Sequence, residues 1–369
     1  MTLRVGKLVY GIIKLLPCLL AVLLASSCSS DVNSDEQKGN KTLVTLTIAA
    51  SGNAATASRA VSGNSSTITR ASVSDPTNKD YYISDLTVLI FDESGDVIGS
   101  TTKQAPFSSS DGNITIQVLT RAAKNCTVYA IANALALNDG ATPPFAGIAT
   151  LSALQSMVKT YADADDINKE SCLLMMGKTD DKSFDTTNSG SAAAISLQRL
   201  ASRIDFKFTV NNDKKTGFPI VVDSYQLCHV PTSTFYQQSD FTNPSMPSVS
   251  ASTSLYQSLE PKAEIDKPYT CYVYTNTDKS NKTYLLINAH SAVTGSDGTT
   301  YKVWNSVFNV NMPDKVKPNM HYTVNITING GATAQGDCGA VFTYNAYPYF
   351  SGSILNPWGP NENKDLDLQ

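Results

Sequence analysis

Histidine is scarce: His229, His290 and His321 are the only three in 369 residues. Each lies in or beside a separate strand-like segment, so structural or surface roles are expected and not acid–base catalysis. Charge is sparse as well. Charged residues make up 16% of the chain and the net charge is −4, which gives no basic stripe for a nucleic-acid backbone. No nucleic-acid partner is expected. The sequence has no glycine-rich phosphate loop, no GxSxG and no HExxH. None of the seven cysteines forms a CxxC pair. Beyond the N-terminal region, Cys126, Cys172, Cys228, Cys271 and Cys338 are scattered and odd in number, which fits neither a disulfide framework nor a zinc site. The acidic stretches DADDINKE (Asp163–Glu170) and KTDDKSFD lack calcium-loop spacing and its sixth-position glycine, and read as solvated loops. The chain is therefore expected to hold no metal and no cofactor, and not to be an enzyme.

Long apolar runs are missing too. The longest, LLPCLLAVLLA (Leu15–Ala25), has eleven residues, too few for a bilayer span but suited to a signal-peptide core behind Arg4, Lys7 and Lys14. LLASSC then ends at Cys28 after small residues, the pattern of a bacterial lipoprotein signal whose cysteine is acylated. Ordinary cleavage near Ala25–Cys28, with Cys28 an incidental thiol, is the alternative. The polar, acidic SSDVNSDEQKGN that follows reads as a spacer between an anchor and a folded body.

What the chain does have is strand chemistry. Tyrosine (17) outnumbers phenylalanine (12) and tryptophan (2) together, amid much Thr, Ser and Asn. In KTLVTLTIAA (Lys41–Ala50), Val44, Leu46, Ile48 and Ala50 alternate with Thr45 and Thr47. ISDLTVLIFDESGDVIGS (Ile83–Ser100) sets Leu86, Val88 and Ile90 on one face and turns at DESGD. Asn113–Leu119 and Asn125–Ala134 alternate again. SRIDFKFTV (Ser202–Val210) is the cleanest case, with Ile204, Phe206, Phe208 and Val210 opposite Arg203, Asp205, Lys207 and Thr209. Further strands are expected at Ile220–Cys228, Tyr269–Thr277, Thr283–Ser291, Lys302–Met312 and His321–Gly330, with Asn-, Asp-, Gly- and Ser-rich turns between them. One amphipathic helix is expected over Ala149–Ala162, where Leu151, Leu154, Met157, Val158 and Tyr161 recur at three and four. SCLLMMGK (Ser171–Lys178) is a short apolar segment and DTTNSGSAAA a loop. The aromatic run YNAYPYF (Tyr344–Phe350) can be read as a sugar-stacking surface or as packing at a domain edge. Many short strands separated by turns argue for sandwiches and against βαβ units.

One segment is odd. Between Thr42 and Ser74 the only charges are Arg59 and Arg70, both in the polar stretch that follows the first strand.

Several strings, in order, resemble the fimbrillins of Bacteroidales, two-domain pilin lipoproteins of major and minor fimbria. They are VYAIANA (Val128–Ala134), CLLMMGK (Cys172–Lys178), ISLQRLASRIDFKF (Ile195–Phe208), YVYTNT (Tyr272–Thr277) and VKPNMHYTVNITING (Val316–Gly330). SGSILNPWGP (Ser351–Pro360) is similar in style to the minor-fimbrium subgroup. The resemblance implies an all-β chain of two consecutive β-sandwich (transthyretin-like) domains with one or two short helices. It implies a signal peptide over 1–27, a spacer over 28–40, an N-terminal sandwich over 41–200 with a cleavable linker at 51–75, a C-terminal sandwich over 201–350 and a tail over 351–369.

A mechanism comes with the resemblance. The precursor is lipidated at Cys28 and held at the outer membrane. An arginine-specific protease cuts after Arg70 or Arg59, and the first strand leaves with Val44, Leu46 and Ile48. The tail of a neighbouring subunit then inserts, through Ile354, Leu355 and Trp358 or through Leu366 and Leu368. Pro357 and Pro360 interrupt that tail, which leaves the inserted segment open. The implied function is a stalk or accessory subunit of a cell-surface fimbrium that supports adhesion, with other fimbrial subunits as partners and a host or bacterial surface ligand in prospect. The alternatives are a fimbrial anchor or tip adhesin, or a surface lipoprotein that binds glycans.

Overall fold

The structure is a computed structural model, and it describes residues 41–49, 76–107, 109–110, 113–138, 140–185, 193–212, 219–241, 243–247, 255–258, 269–294, 296–330, 337–346 and 364–365. The chain from residue 40 onward forms one compact unit. Its first half contributes strands β1 (Lys41–Ala49), β2 (Asp85–Phe91), β3 (Val97–Gln104), β4 (Ser109–Ser110), β5 (Asn113–Arg121) and β6 (Ala123–Ala132). Helix α1 (Leu151–Ser156), β7 (Val158–Thr160), α2 (Asp166–Lys169), β8 (Met175–Phe184), β9 (Ala193–Ser196) and β10 (Gln198–Arg199) follow. The second half contributes β11 (Ala201–Asn212), β12 (Ile220–Cys228), β13 (Ser233–Phe235), β14 (Leu255–Ser258) and β15 (Tyr269–Tyr274). It continues with β16 (Tyr284–Thr294), β17 (Thr300–Asn311), β18 (Met320–Gly330), β19 (Asp337–Ala346) and β20 (Lys364–Asp365). The fold is all-β with two short helices, as expected.

The first half is one nine-stranded sheet in the order β10-β8-β6-β2-β3-β5-β1-β9, with β4 on the side of β5. The sheet curls on itself. β9 lies parallel to β1 at one end, and after the single residue Leu197 the same segment pairs as β10 with β8 at the other. Inward-facing residues of every layer meet in one core: Val44, Leu46 and Ile48 of β1, Leu86, Val88 and Ile90 of β2, Ile114, Ile116 and Val118 of β5, and Ile195 of β9. β2 is buried along its whole length because its other face, Leu89 and Phe91, packs under Tyr129, Phe145, Leu154 and Tyr236. A Cβ on Gly177 of β8 would lie 2.2 Å from the Ser196 carbonyl oxygen, so only glycine lets the two ends of the sheet approach this closely.

The second half sets the sheet β15-β11-β18-β19-β20 against the sheet β14-β12-β16-β17. Ile204, Phe206 and Phe208 of β11 and Val324, Ile326 and Ile328 of β18 share one core with Tyr225 and Leu227 of β12 and Leu285 and Ile287 of β16. This arrangement is a β-sandwich. The alternation read in SRIDFKFTV is real: its three apolar residues from Ile204 to Phe208 are at most 1% exposed.

The helix expected over Ala149–Ala162 is shorter and different in kind. Thr150 caps α1 by accepting from the Ala153 amide (3.2 Å), but Met157 turns extended at φ −72°, ψ 136°. Val158–Thr160 then pairs antiparallel with β13. β-Branched Val158 and Thr160 suit a strand, and a partner strand was at hand, so tertiary pairing overrode the helical period. Leu154 and Met157 still pack against the apolar cluster that the period predicts.

Candidate strand-exchange groove

β1 fills a slot between two strands of opposite polarity. It runs antiparallel to β5 over all nine residues, from Lys41 opposite Arg121 to Ala49 opposite Asn113. On its other side, Leu46–Ala49 pairs parallel with Ala193–Ser196. Cross-strand pairs Val44–Val118, Leu46–Ile116 and Ile48–Ile114 all point inward. Val44 is 1% exposed, and Leu46 and Ile48 are fully buried. Burying each such side chain contributes about 1.5–3 kcal/mol. On the opposite face, Leu43 and its partner Leu119 are 46% and 54% exposed. Thr42 fixes the entry of the strand by donating to the Asp185 carbonyl (3.0 Å). Without β1, β5 and β9 would face a trough floored by Ile114, Ile116, Val118 and Ile195, with both backbone edges unpaired.

The chain that resumes at Pro76 is clamped immediately. Tyr81 and Tyr82 amides donate to the Asn78 carbonyl (3.0 and 2.9 Å). Asp80, 7% exposed, accepts from Arg203 Nη1 (2.9 Å) and from the Tyr272 hydroxyl (2.8 Å). Its carbonyl takes the Nε of fully buried Arg199 (2.6 Å), whose guanidinium also stacks over Tyr81 at 4.9 Å. Arg199 binds Asn319 as well, through its backbone amide (3.2 Å) and Nη1 (3.4 Å). Burial pushes the Lys79 ammonium down to about 8, against the attraction of Glu170. One network therefore ties the segment after the tether to β10, β11, β15 and the turn before β18.

Among the residues expected to act, Val44, Leu46 and Ile48 sit in the slot as the alternation requires. Cys28, Arg59, Arg70, Ile354, Leu355, Trp358, Leu366 and Leu368 lie outside the described residues. Just before the last two, Lys364–Asp365 pairs antiparallel with Val341–Phe342 on the edge of the second-half sheet.

The three histidines all have polar partners. His290 Nδ1 donates to Asp223 (2.7 Å), His321 Nε2 donates to Asp205 (2.7 Å), and His229 Nδ1 contacts the Lys282 carbonyl (3.0 Å). Asp205 accepts in addition from Arg203 (2.9 Å) and Thr270 (2.6 Å). Burial pushes the Asp205 carboxyl up, but the bonds from His321, Arg203 and Thr270 and the charge of Arg203 outweigh it and hold the group below the usual carboxylate range. The acidic run expected to be a loop forms α2, with Lys169 bridging Asp166 (2.9 Å) and Asp165 (3.7 Å). Among the described residues no cluster of His, Cys, Asp or Glu could hold a metal. Cys126, Cys172, Cys228 and Cys271 are buried free thiols.

Sequence reasoning missed β9, the parallel wall of the slot. It overlaps the end of DTTNSGSAAA, read as a loop. The available signal was the alternation of Ile195 and Leu197 with Ser196 and Gln198.

The family model of the major fimbrial subunit protein (FimA) matches residues 44–220, from within β1 to the first residue of β12. No curated protein matches the chain. A Bacteroides eggerthii structure named as a cell adhesion protein shares 16% identity at a TM-score of 0.57, over 84% of this chain and 97% of that one. A Parabacteroides distasonis structure with the same kind of name shares 16% at 0.57, over 82% and 96%. A fimbrilin from Porphyromonas gingivalis shares 15% at 0.50, over 83% and 97%. At such identities the structures show a common fold. That fold is a curled sheet followed by a sandwich. The chain is similar to the major fimbrial subunit family over residues 44–220, and to these solved structures in fold. Fimbrial subunits are structural proteins, not enzymes.

Proposed function

We propose that the chain is a structural subunit, stalk or accessory, of a cell-surface fimbrium, and that β1 is the strand it gives up on assembly. The seat of β1 carries this reading. A nine-residue N-terminal strand is laddered on both sides, contributes three fully sequestered side chains to the core, and is joined to the rest only through residues 50–75. Arg59 and Arg70 lie in that connection, and the clamp at Asn78–Tyr82 holds the chain downstream of any cut there. Cleavage after Arg70 would free β1 and leave Ala71 as a terminus shortly before the clamp. The trough left between β5 and β9 would then take the tail of a neighbouring subunit, giving head-to-tail growth. Acylation of Cys28 would hold the uncut precursor at the outer membrane. The halves 41–200 and 201–350 would act as its two sandwich domains.

Sequencing the N-terminus of protein sheared from cells tests this reading. A stalk subunit starts at Ala71 or Ala60; a start at acylated Cys28 contradicts strand removal and favours an anchor. Deleting Ser353–Gln369 should abolish polymer ladders while the monomer stays folded. Ladders that persist contradict donation by the tail.

A further inference from the structure

A strand at the edge of a sheet offers unpaired N–H and C=O groups to any other chain, so folds guard such edges. Three edges of this molecule are guarded. β15 is covered by α2: the Asn168 side chain accepts from the Tyr272 amide (2.6 Å) and donates to the Tyr272 carbonyl (3.2 Å), taking the place of a further strand. β8 is paired by β10 only at Met175 and Met176, and the run beyond Gly177 carries Lys178, Asp180, Asp181 and Lys182. β14, at one edge of a second-half sheet, is only four residues long.

β17, at the opposite edge of that sheet, has no such guard. Its ladder to β16 runs from Thr300 to Asn311, and among the described residues no strand pairs with its outer side. Neither a charge nor a proline occurs from Val303 to Met312. Ser306 and Val310 are buried and Phe308 packs on the core, while Asn305, Val307, Asn309 and Asn311 are exposed. Val307, at 61%, is the most exposed large apolar side chain among the described residues.

The exposed pattern is its own complement. Laid antiparallel about a two-fold axis at Val307, two copies of β17 set valine against valine and each Asn305 against the second copy's Asn309. No like charges meet, and both copies use the same patch, as an isologous contact requires. An unrelated peptide would gain the main-chain bonds without this matching of side chains, so the pattern favours a second copy of the chain. We propose that β17 is a homotypic docking edge, through which two copies join side by side into one continuous sheet. The contact uses no residue of the β1 slot and is independent of strand exchange. In a fimbrium, where copies are aligned, the same contact repeated along two fibres would bundle them by avidity.

The test is sedimentation velocity of the purified uncut chain, in which β1 fills the slot and strand exchange cannot contribute. The sedimentation coefficient should rise from the monomer towards the dimer value between about 10 μM and 1 mM. Val307→Lys sets two ammonium groups at the axis and should weaken dimerisation about tenfold or more. Its Tm should not change, because the side chain is exposed. Asn305→Lys combined with Asn309→Lys should weaken the dimer likewise. Asn305→Lys combined with Asn309→Asp pairs opposite charges in the stated register and should restore or tighten it. A chain that stays monomeric over the whole range overturns the proposal. So does a Val307→Lys dimer as tight as the parent's, or an equal effect of the two double variants.

Discussion

Asp205 shows how much a single carboxylate can organise. Three side chains from three strands converge on it: Arg203 on its own β11, Thr270 on β15 and His321 on β18. Its folded pKa lies below the unfolded value of 3.8, so the stability it contributes is fully present above about pH 4 and is lost as pH falls below that. Asp205→Asn should therefore lower stability at pH 7 yet flatten its decline between about pH 4 and 2. Urea titrations across that range will show it; parallel declines in variant and parent would contradict the assignment. The sequence placed Asp205 on the polar face of its strand but could not show its partners. Thr270 and His321 come from positions 65 and 116 residues away, and local periodicity carries no information about such pairing. The same holds for Asp80 and Tyr272, 192 residues apart.

At the scale of elements, alternation was a good guide wherever one face of a strand meets a core. β1, β5 and β11 follow it, since a slip of one residue would turn every apolar side chain outward. It failed for short strands whose existence depends on a partner. β7 and β13 have three residues each, too few to show a period, and the alternation that begins in β9 is only four residues long before it passes into β10. Their places are set by β1 and by each other. β1 itself yields a prediction that separates two states of the molecule. Leu46→Ala should cost about 2–5 kcal/mol in the uncut chain, as for other buried leucines. In the assembled fibre it should cost nothing, because the proposal has β1 gone. Denaturant midpoints of precursor and polymer measure both; an equal penalty in the two would mean that β1 stays.

For the molecule as a whole, the sequence conveyed the all-β class. It did not convey how the two halves interlock. β7 from the first half pairs with β13 from the second, and Tyr236 and Phe241 pack into the first-half cluster. The Tyr161 ring stacks on Tyr274 at 5.9 Å. With such shared packing, thermal unfolding should give one cooperative transition, seen alike by tyrosine fluorescence and far-UV circular dichroism. Two resolved transitions would show the halves to be independent.

One more consequence follows from the way β1 is attached. While residues 50–75 are continuous, the strand faces its slot as an internal ligand, at an effective concentration that for short connections is on the order of millimolar. Severing any peptide bond there changes no contact in the slot, and the intrinsic affinity stays the same. What vanishes is the enforced proximity: a freed β1 dilutes to the concentration of any other peptide. A competing strand no better suited than β1 can then win by abundance alone. Proteolysis at such a place acts as a clock on occupancy, setting when exchange begins without deciding how tightly the newcomer is held.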